Sequence, residues 1–444
     1  MKKLHLLLGI LLLVLVLGGG LYAQDFGITL DNATSIDFEP AAVFGQWDKL
    51  SLWFNTGTQN KTVFSMKGSY TFSLESYYLF DIDHLNLKGT YPVSGAKTPR
   101  EFSFTLGRYY LSDFTGYVLS HTLDGIQIGV SYPFADISAS FGYTGLLMKP
   151  NSSIVLSRLD YTDLLDNAIL TAPPRLVGQV ALTFPNLVLN QTLNLTFLFQ
   201  NDIDRVMPER NTYLSEGETV FDPTLGGLIN TQYMGLGLSG PIASTLFYDL
   251  FFYMNTGRLL TWDTAAGMYG YVPVIAFTTG GGFRYYSEQL LYSRFQLGFL
   301  FSSGDTDSPV YVEGNTAGNS DMFIPISSSA TGLVFSPRLG NLMYGTLQYS
   351  LKPLSMLKGN LAQQLSAGVN WYLFLRPTDG AISEAGFLPA STEKYLGTEL
   401  DMYVKFRPFS DLGASLSGGF FVPSAGFEDT SARGLLKLDF SMSF

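Results

Sequence analysis

The 444-residue chain contains no cysteine, which removes disulfide frameworks, thiolate metal sites and a lipidated N-terminal cysteine together. Histidine is almost as scarce: beyond residue 23 only His84 and His121 remain. No nucleophile elbow and no metal-type histidine spacing is present. His121 could act only with Ser120 or Asp124, and close neighbours on a strand do not converge on one point. The chain is therefore read as not an enzyme, with no cofactor. Asp305, Asp307 and Glu313 form the one cation-like cluster, and in a polar stretch they read as solvated loop acids, so no metal is expected. Charged residues make up only 14%, against about a quarter in ordinary globular domains. The balance is acidic, at −11, with no basic stripe, so nucleic acid is not an expected partner.

Long apolar runs are also missing. Lys2 and Lys3 precede an apolar stretch from Leu6 to Leu17; Gly18 to Gly20 then break it and Ala23 offers a small residue for cleavage. Spanning a bilayer takes about 20 residues, so residues 1–23 read as a secretory signal peptide rather than an anchor. Its removal takes the net charge from −11 to −13, because two lysines leave with it. After it no stretch of about 18 apolar residues follows, which excludes helical spans.

What is present is apolar content of another kind: 46% hydrophobic and 15% aromatic residues, dispersed as alternation. The C-terminus is the plainest case. Leu436, Leu438, Phe440, Met442 and Phe444 fall on one face, and Lys437, Asp439, Ser441 and Ser443 on the other. A strand with one greasy and one wet side, in a secreted chain without cysteine, points to a membrane barrel with lipid outside and polar groups inside. Only helices and closed barrels satisfy every backbone group in hydrocarbon, and helices are excluded. The expected fold is all-β: one transmembrane antiparallel barrel over 24–444, in the bacterial outer membrane, with no separate soluble domain.

Prolines supply the period. Pro133, Pro185, Pro241, Pro353 and Pro408 sit in short breaks at spacings of 52, 56, 112 and 55 residues, the double interval hiding a proline-free turn near 286–288. Proline cannot donate to a ladder and belongs at strand ends. The strands predicted are 37–45, 49–56, 61–73, 82–91, 101–111, 124–133, 136–147, 175–185, 191–201, 227–240, 242–257, 272–287, 289–302, 340–352, 361–376, 393–408, 411–423 and 433–444. That makes 18, with 16 as the alternative should the first strands fail. Both termini and the short turns face the periplasm. The long, acidic connections 148–174, 202–226, 258–271, 303–339 and 377–392 face outside.

Facing follows from which side of each strand is apolar. Thr398, Leu400, Met402, Val404 and Phe406 take the lipid frame, turning Glu399, Asp401, Tyr403, Lys405 and Arg407 inward. Lys88, Arg175, Arg284, Arg294, Lys352, Arg376 and Lys437 turn inward likewise. That gives nine inward bases against three acids, Glu399, Asp401 and Asp439. A charge facing lipid costs about 2–4 kcal/mol at mid-depth. Two readings of the lumen stay open: paired charges that brace the wall, or a basic constriction that concentrates anions. Tyr233, Tyr292, Tyr344, Tyr372 and Tyr403 could stack sugars or fill space. Arg108 falls in the lipid frame of Phe102, Phe104 and Leu106, so a bulge at Gly107 or a rim position is expected. Leu111 to Leu123 could fold into the pore as a constriction loop.

Residues 395–408, Tyr-Leu-Gly-Thr-Glu-Leu-Asp-Met-Tyr-Val-Lys-Phe-Arg-Pro, followed by Gly418-Gly419-Phe420-Phe421, resemble the end of the alginate-export family of outer-membrane barrels. Leu106-Gly107-Arg108 with Leu123-Asp124-Gly125 resembles a pattern shared by that family and several porins. The resemblance covers about 80 residues and implies an 18-stranded barrel whose Arg-rich pore passes an anionic polysaccharide. Glu399, Asp401, Arg407 and Arg108 match it by position. Terminal Phe444 resembles the signal read by the barrel-assembly machinery. The expected function is a passive channel for hydrophilic, anionic solutes. The alternative is a non-conducting structural or adhesive barrel whose acidic loops bind a partner.

Overall fold

The computed structural model describes residues 21–444 except 40, 59–60, 75–78, 94–99, 204–216, 218, 220–227, 264, 309, 313–317, 358, 360 and 389. Eighteen strands run in chain order: β1 Leu21–Glu39, β2 Ala41–Thr58, β3 Thr62–Ser73, β4 Leu79–Pro92, β5 Glu101–Ser112, β6 Ser120–Tyr132, β7 Ala135–Tyr143, β8 Arg175–Phe184 and β9 Thr192–Asp202. The second half holds β10 Ile229–Ala243, β11 Leu246–Asp263, β12 Met268–Ser287, β13 Ser293–Ser302, β14 Leu342–Leu351, β15 Leu365–Leu375, β16 Tyr395–Phe409, β17 Leu412–Pro423 and β18 Arg433–Ser443. Every strand pairs antiparallel with its neighbours in sequence, and β1 also pairs with β18, so the sheet closes. Closure leaves no edge to satisfy.

From β3 onward the strands lie where alternation puts them, apart from their ends. The first does not, and the second, expected over 49–56, lies inside a strand that starts eight residues earlier. The expected strand 37–45 straddles the connection at residue 40; the structure instead runs one long strand to Glu39 and starts the next at Ala41. A cut after Ala23 would trim only the start of β1, below Ile28, where Phe444 docks.

The outward faces carry exposed apolar side chains on every side of the barrel, among them Leu106, Ile128, Leu236, Ile275, Leu347 and Leu438. A continuous apolar wall of this kind belongs in hydrocarbon rather than water. By strand parity the long connections β7–β8, β9–β10, β13–β14 and β15–β16 share one end, but the long loop expected over 258–271 is not there: β11 and β12 extend through it and leave only 264–267, while 352–364 links β14 to β15 at the other end.

The hydrophobic core lies inside the barrel, at the long-loop end. Three connections supply most of it, Val118 and Leu119 after β5, Ile154 and Val155 after β7, and Phe323, Ile324, Ile326 and Phe335 after β13, with Ile382 after β15 and Phe427 after β17 joining them. They pack on inward wall residues, including Tyr233, Tyr253, Tyr344, Phe374 and Phe421. Backbone bonds stitch the loops together, with Ile326 N–H donating to Val118 O at 2.9 Å and Val155 N–H to Ile326 O at 3.1 Å. The constriction-loop expectation for 111–123 holds in the sense that this loop turns inward. The larger part of the plug comes from 303–341, whose apolar residues are scattered among polar ones. A helix in the β7–β8 connection, α1 (Arg158–Leu165), starts on a capping box at Ser157 and Asp160.

Candidate functional site

Asp113 organises the inward loop. Its Oδ1 accepts the N–H groups of Val118 (3.1 Å) and Leu119 (2.8 Å), and its Oδ2 accepts Thr115 N–H (2.8 Å) and the Tyr253 hydroxyl (2.7 Å). Phe114 and Tyr117 are thereby held against the β11 wall, stacking on Tyr253 at 5.3 Å and tilting over Phe251 at 5.4 Å between ring centroids. Gly237, inward on β10, makes room: a Cβ there would lie 2.4 Å from the Phe114 ring.

The long plug segment is pinned from the other side. Glu399, on β16 and fully buried, accepts backbone N–H groups of Leu333 (2.6 Å), Val334 (2.8 Å) and Phe335 (2.7 Å). Asp401 accepts Leu333 N–H at 3.3 Å. Successive amides converging on a carboxylate make a nest-like anion site, here used by the wall to hold a loop.

Beneath these two loop tips lies a cavity of about 490 Å³, walled by β9–β15 and roofed by Phe114, Thr115, Tyr117, Ala330 and Thr331. Its charged lining is Asp249, Arg284 and Arg294, with Gln296, Gln348, Thr346, Tyr344 and Tyr372 between them. Arg284 pairs with Asp249 at 3.3 Å, both partly exposed, and Arg294 bonds Gln296 beside the Tyr286 ring at 6.0 Å. Tyr344 donates to the Tyr117 hydroxyl at 3.3 Å, joining wall to roof. One acid against two guanidinium groups leaves this pocket with a positive balance, in surroundings of hydroxyls and amides suited to a carboxylate.

The remaining sequence-predicted residues scatter. Arg175 is fully buried at the long-loop end of β8, paired with Asp160 of α1 and with Asp202 at 2.8 Å, so it ties the helix to the wall. Arg376, past the end of β15, donates to the carbonyls of Asp379 (2.7 Å), Gly380 (2.8 Å), Glu393 (2.8 Å) and Ser391, and lies 4.4 Å from the Phe387 ring centroid. Its donors are committed to the outer loop 376–394. Lys88, Lys405 and Arg407 are exposed near the short-turn end. Lys405 sits 4.8 Å over the Tyr403 ring, and Arg407 donates to Ser410 O at 2.6 Å. Among the described residues neither pairs with Glu399 or Asp401. Lys352 lies exposed in the turn after β14, and Tyr292 lies outside its strand.

Arg108 is not explained by a bulge. The β5–β6 ladder runs through Arg108 without a register shift and the β4–β5 ladder ends at it, so no bulge appears in either. Instead Gly107, at φ +112°, swings the next side chain off the lipid frame. Arg108 is buried, bonded to Asp124 at 2.8 Å and Asp81 at 3.1 Å and to Ile82 O at 2.6 Å.

The tally of nine bases against three acids is corrected here. Asp81, Asp83 and Asp249 also face inward, as do the bases Lys49 and Lys67, which pair with Asp83 at 2.8 and 3.9 Å, and Asp439 pairs with Lys437 at 2.8 Å. Asp249 was legible: Leu250, Phe252 and Met254 set the lipid frame beside it. His121 meets Ser153 (Nδ1 to Oγ 2.9 Å), away from Asp124, which is bound by Arg108. Asp305 accepts backbone N–H from Asp307 and Asp321, both at 3.2 Å, while Glu313 lies outside the described residues.

No family model matches the chain, and no curated protein matches it. Solved structures do. The Pseudomonas aeruginosa outer-membrane protein OpdK is 12% identical, over 96% of this chain and 100% of that one, at a TM-score of 0.57. OccK8 (OprE) is 13% identical over 95% and 98%, at 0.57. OccK2 (OpdF), solved with glucuronate, is 14% identical over 96% and 99%, at 0.58. Identity this low carries fold alone: the chain has the porin-like barrel architecture of these outer-membrane proteins.

Proposed function

We infer that the chain is an outer-membrane channel for small organic anions, with its short turns in the periplasm and its long loops outside. The observation that carries this is the cavity of about 490 Å³ under the loop tips, where Arg284 and Arg294 face Asp249 alone. Inward-folded loops narrow the lumen to the scale of one small solute, and guanidinium groups at such a waist attract carboxylates. Two structural neighbours were solved with glucuronate and with vanillate, both carboxylates, which supports the same solute class here. A polysaccharide is less well served: Glu399 and Asp401, which carry the alginate-export resemblance, are covered by residues 333–335.

The test is single-channel recording in a salt gradient. A reversal potential on the anion side, with glucuronate reducing chloride current, is expected; reversal at the cation potential overturns the reading.

A further inference from the structure

The lipid-facing side of the β1–β2 hairpin carries a cluster of four polar residues where most of the barrel's outward face is apolar. Asn32 and Thr34 share the outward frame of Ile28, Leu30, Ile36 and Phe38. Gln46 and Asp48 share that of Leu50 and Leu52. They bond one another: Asn32 Nδ2 to Asp48 Oδ1 at 2.6 Å, Gln46 Nε2 to both Asp48 oxygens at 3.1 Å, and Thr34 Oγ1 to Gln46 Oε1 at 2.8 Å. Apolar residues ring the tetrad. Phe440 and Leu438 flank it on β18, Phe72 on β3, Leu30 and Leu50 lie below, and Ile36 and Phe44 above. On β18 it is level with the middle of the outward row Leu436–Met442, hence mid-depth in the bilayer. No cation among the described residues pairs with Asp48. A carboxylate facing lipid at this depth is costly unless something polar covers it.

We propose that a second copy of this chain covers it, the two barrels meeting across a twofold axis along the membrane normal that passes between β1 and β2. The register supplies the complementarity. Asn32 stands opposite Asp48 and Thr34 opposite Gln46 in the β1–β2 ladder. A twofold rotation about that axis brings β1 of one copy to β2 of the other, so amide donors meet carboxylate and carbonyl acceptors in both directions. Barrel strands tilt by about 35–45°, so two such walls cross and touch over a compact patch, which is the shape of the tetrad. Polar side chains between membrane segments act as the specific contact where apolar packing gains little over lipid.

The absence of cysteine makes the test clean. Ile36→Cys in the full chain, in intact outer membranes, should give a homodimer with a short bismaleimide, whereas Leu236→Cys on the opposite wall should not. Adding Asn32→Leu and Asp48→Leu should lower the Ile36→Cys dimer at least tenfold while the folded, heat-modifiable monomer persists; Asp48→Asn, which keeps the acceptor oxygen that Asn32 and Gln46 both reach, should retain it. The proposal fails if Ile36→Cys yields no dimer, if it links only to another species, or if dimer survives the paired leucine substitutions.

Discussion

Glu399 receives three successive backbone N–H groups, from Leu333, Val334 and Phe335, at 2.6–2.8 Å. A wall side chain thus fixes the tip of the longest inward loop. Beside it Phe335 stacks on Phe421 at 4.4 Å and meets Phe374 edge-on at 5.1 Å. Glu399→Ala would orphan three amides, each costing about 1–3 kcal/mol if left buried and unpaired. The loop should leave the wall while the barrel, held by its ladders, stays closed. Larger and noisier single-channel conductance is expected, with faster proteolysis between 322 and 340. Unchanged conductance would show that this contact does not set the aperture.

Arg284 and Arg294 are the bases whose positions matter most for selectivity. Replacing both with Gln should shift the reversal potential toward cations and weaken block by glucuronate, with heat-modifiable migration unaltered, because lumen substitutions tune selectivity without touching the lipid face. Asp249→Asn should act in the opposite direction by freeing Arg284 from its partner at 3.3 Å. Neutral replacement of Lys405 and Arg407, away from the cavity, should have the smaller effect. If that pair alters selectivity more, the waist lies nearer the short turns.

Strand number and order were legible because the lipid face imposes a period of two, which no tertiary contact inside the barrel disturbs. The misplaced first strand and the missed start of β2 have a definite cause: Asn32, Thr34, Gln46 and Asp48 place polar residues in the lipid frame, so the alternation is lost there. The plug was half legible: Asp113 to Leu119 announces an inward turn, but Phe323, Ile324, Ile326 and Phe335 sit in a segment whose acids mark it as a surface loop. The arginines could not be sorted by frame alone. Frame gives the facing of Arg175, Arg284 and Arg376, whereas burial against α1 or an outer loop depends on contacts far away in the chain.

Phe444 closes the seam, its N–H donating to Ile28 O at 2.8 Å and its carbonyl accepting Ile28 N–H at 3.1 Å. Its side chain stays exposed. Deleting Phe444 should leave unfolded chain in the periplasm. Phe444→Ala retains the backbone bonds and should give an intermediate yield if the side chain is read as a signal. Equal insertion of both variants and the native chain would remove the assembly role.

Asp305 gives the plug a pH dependence. Burial, with Asp307 alongside, raises its carboxyl to about 7, and it lies in the connection after β13, outside the spanning strands. Its backbone neighbours run into the outer loop: Asn341 donates to Gly380 O at 2.8 Å, and a Cβ on Gly380 would strike Asp305 O. The folded-state value lies above that of an unfolded aspartate, so proton binding favours the packed loop. That stabilisation is complete below about pH 4 and is lost as pH rises through 7. Hydrogen exchange in 303–308 and 319–324, corrected for intrinsic rate, should therefore be slower at pH 5 than at pH 8. Asp305→Asn, which cannot ionise, should abolish the difference and hold the slow rate throughout. Slower exchange at the higher pH would mean that the ionised carboxylate, accepting from Asp307 and Asp321, is the form that holds the loop.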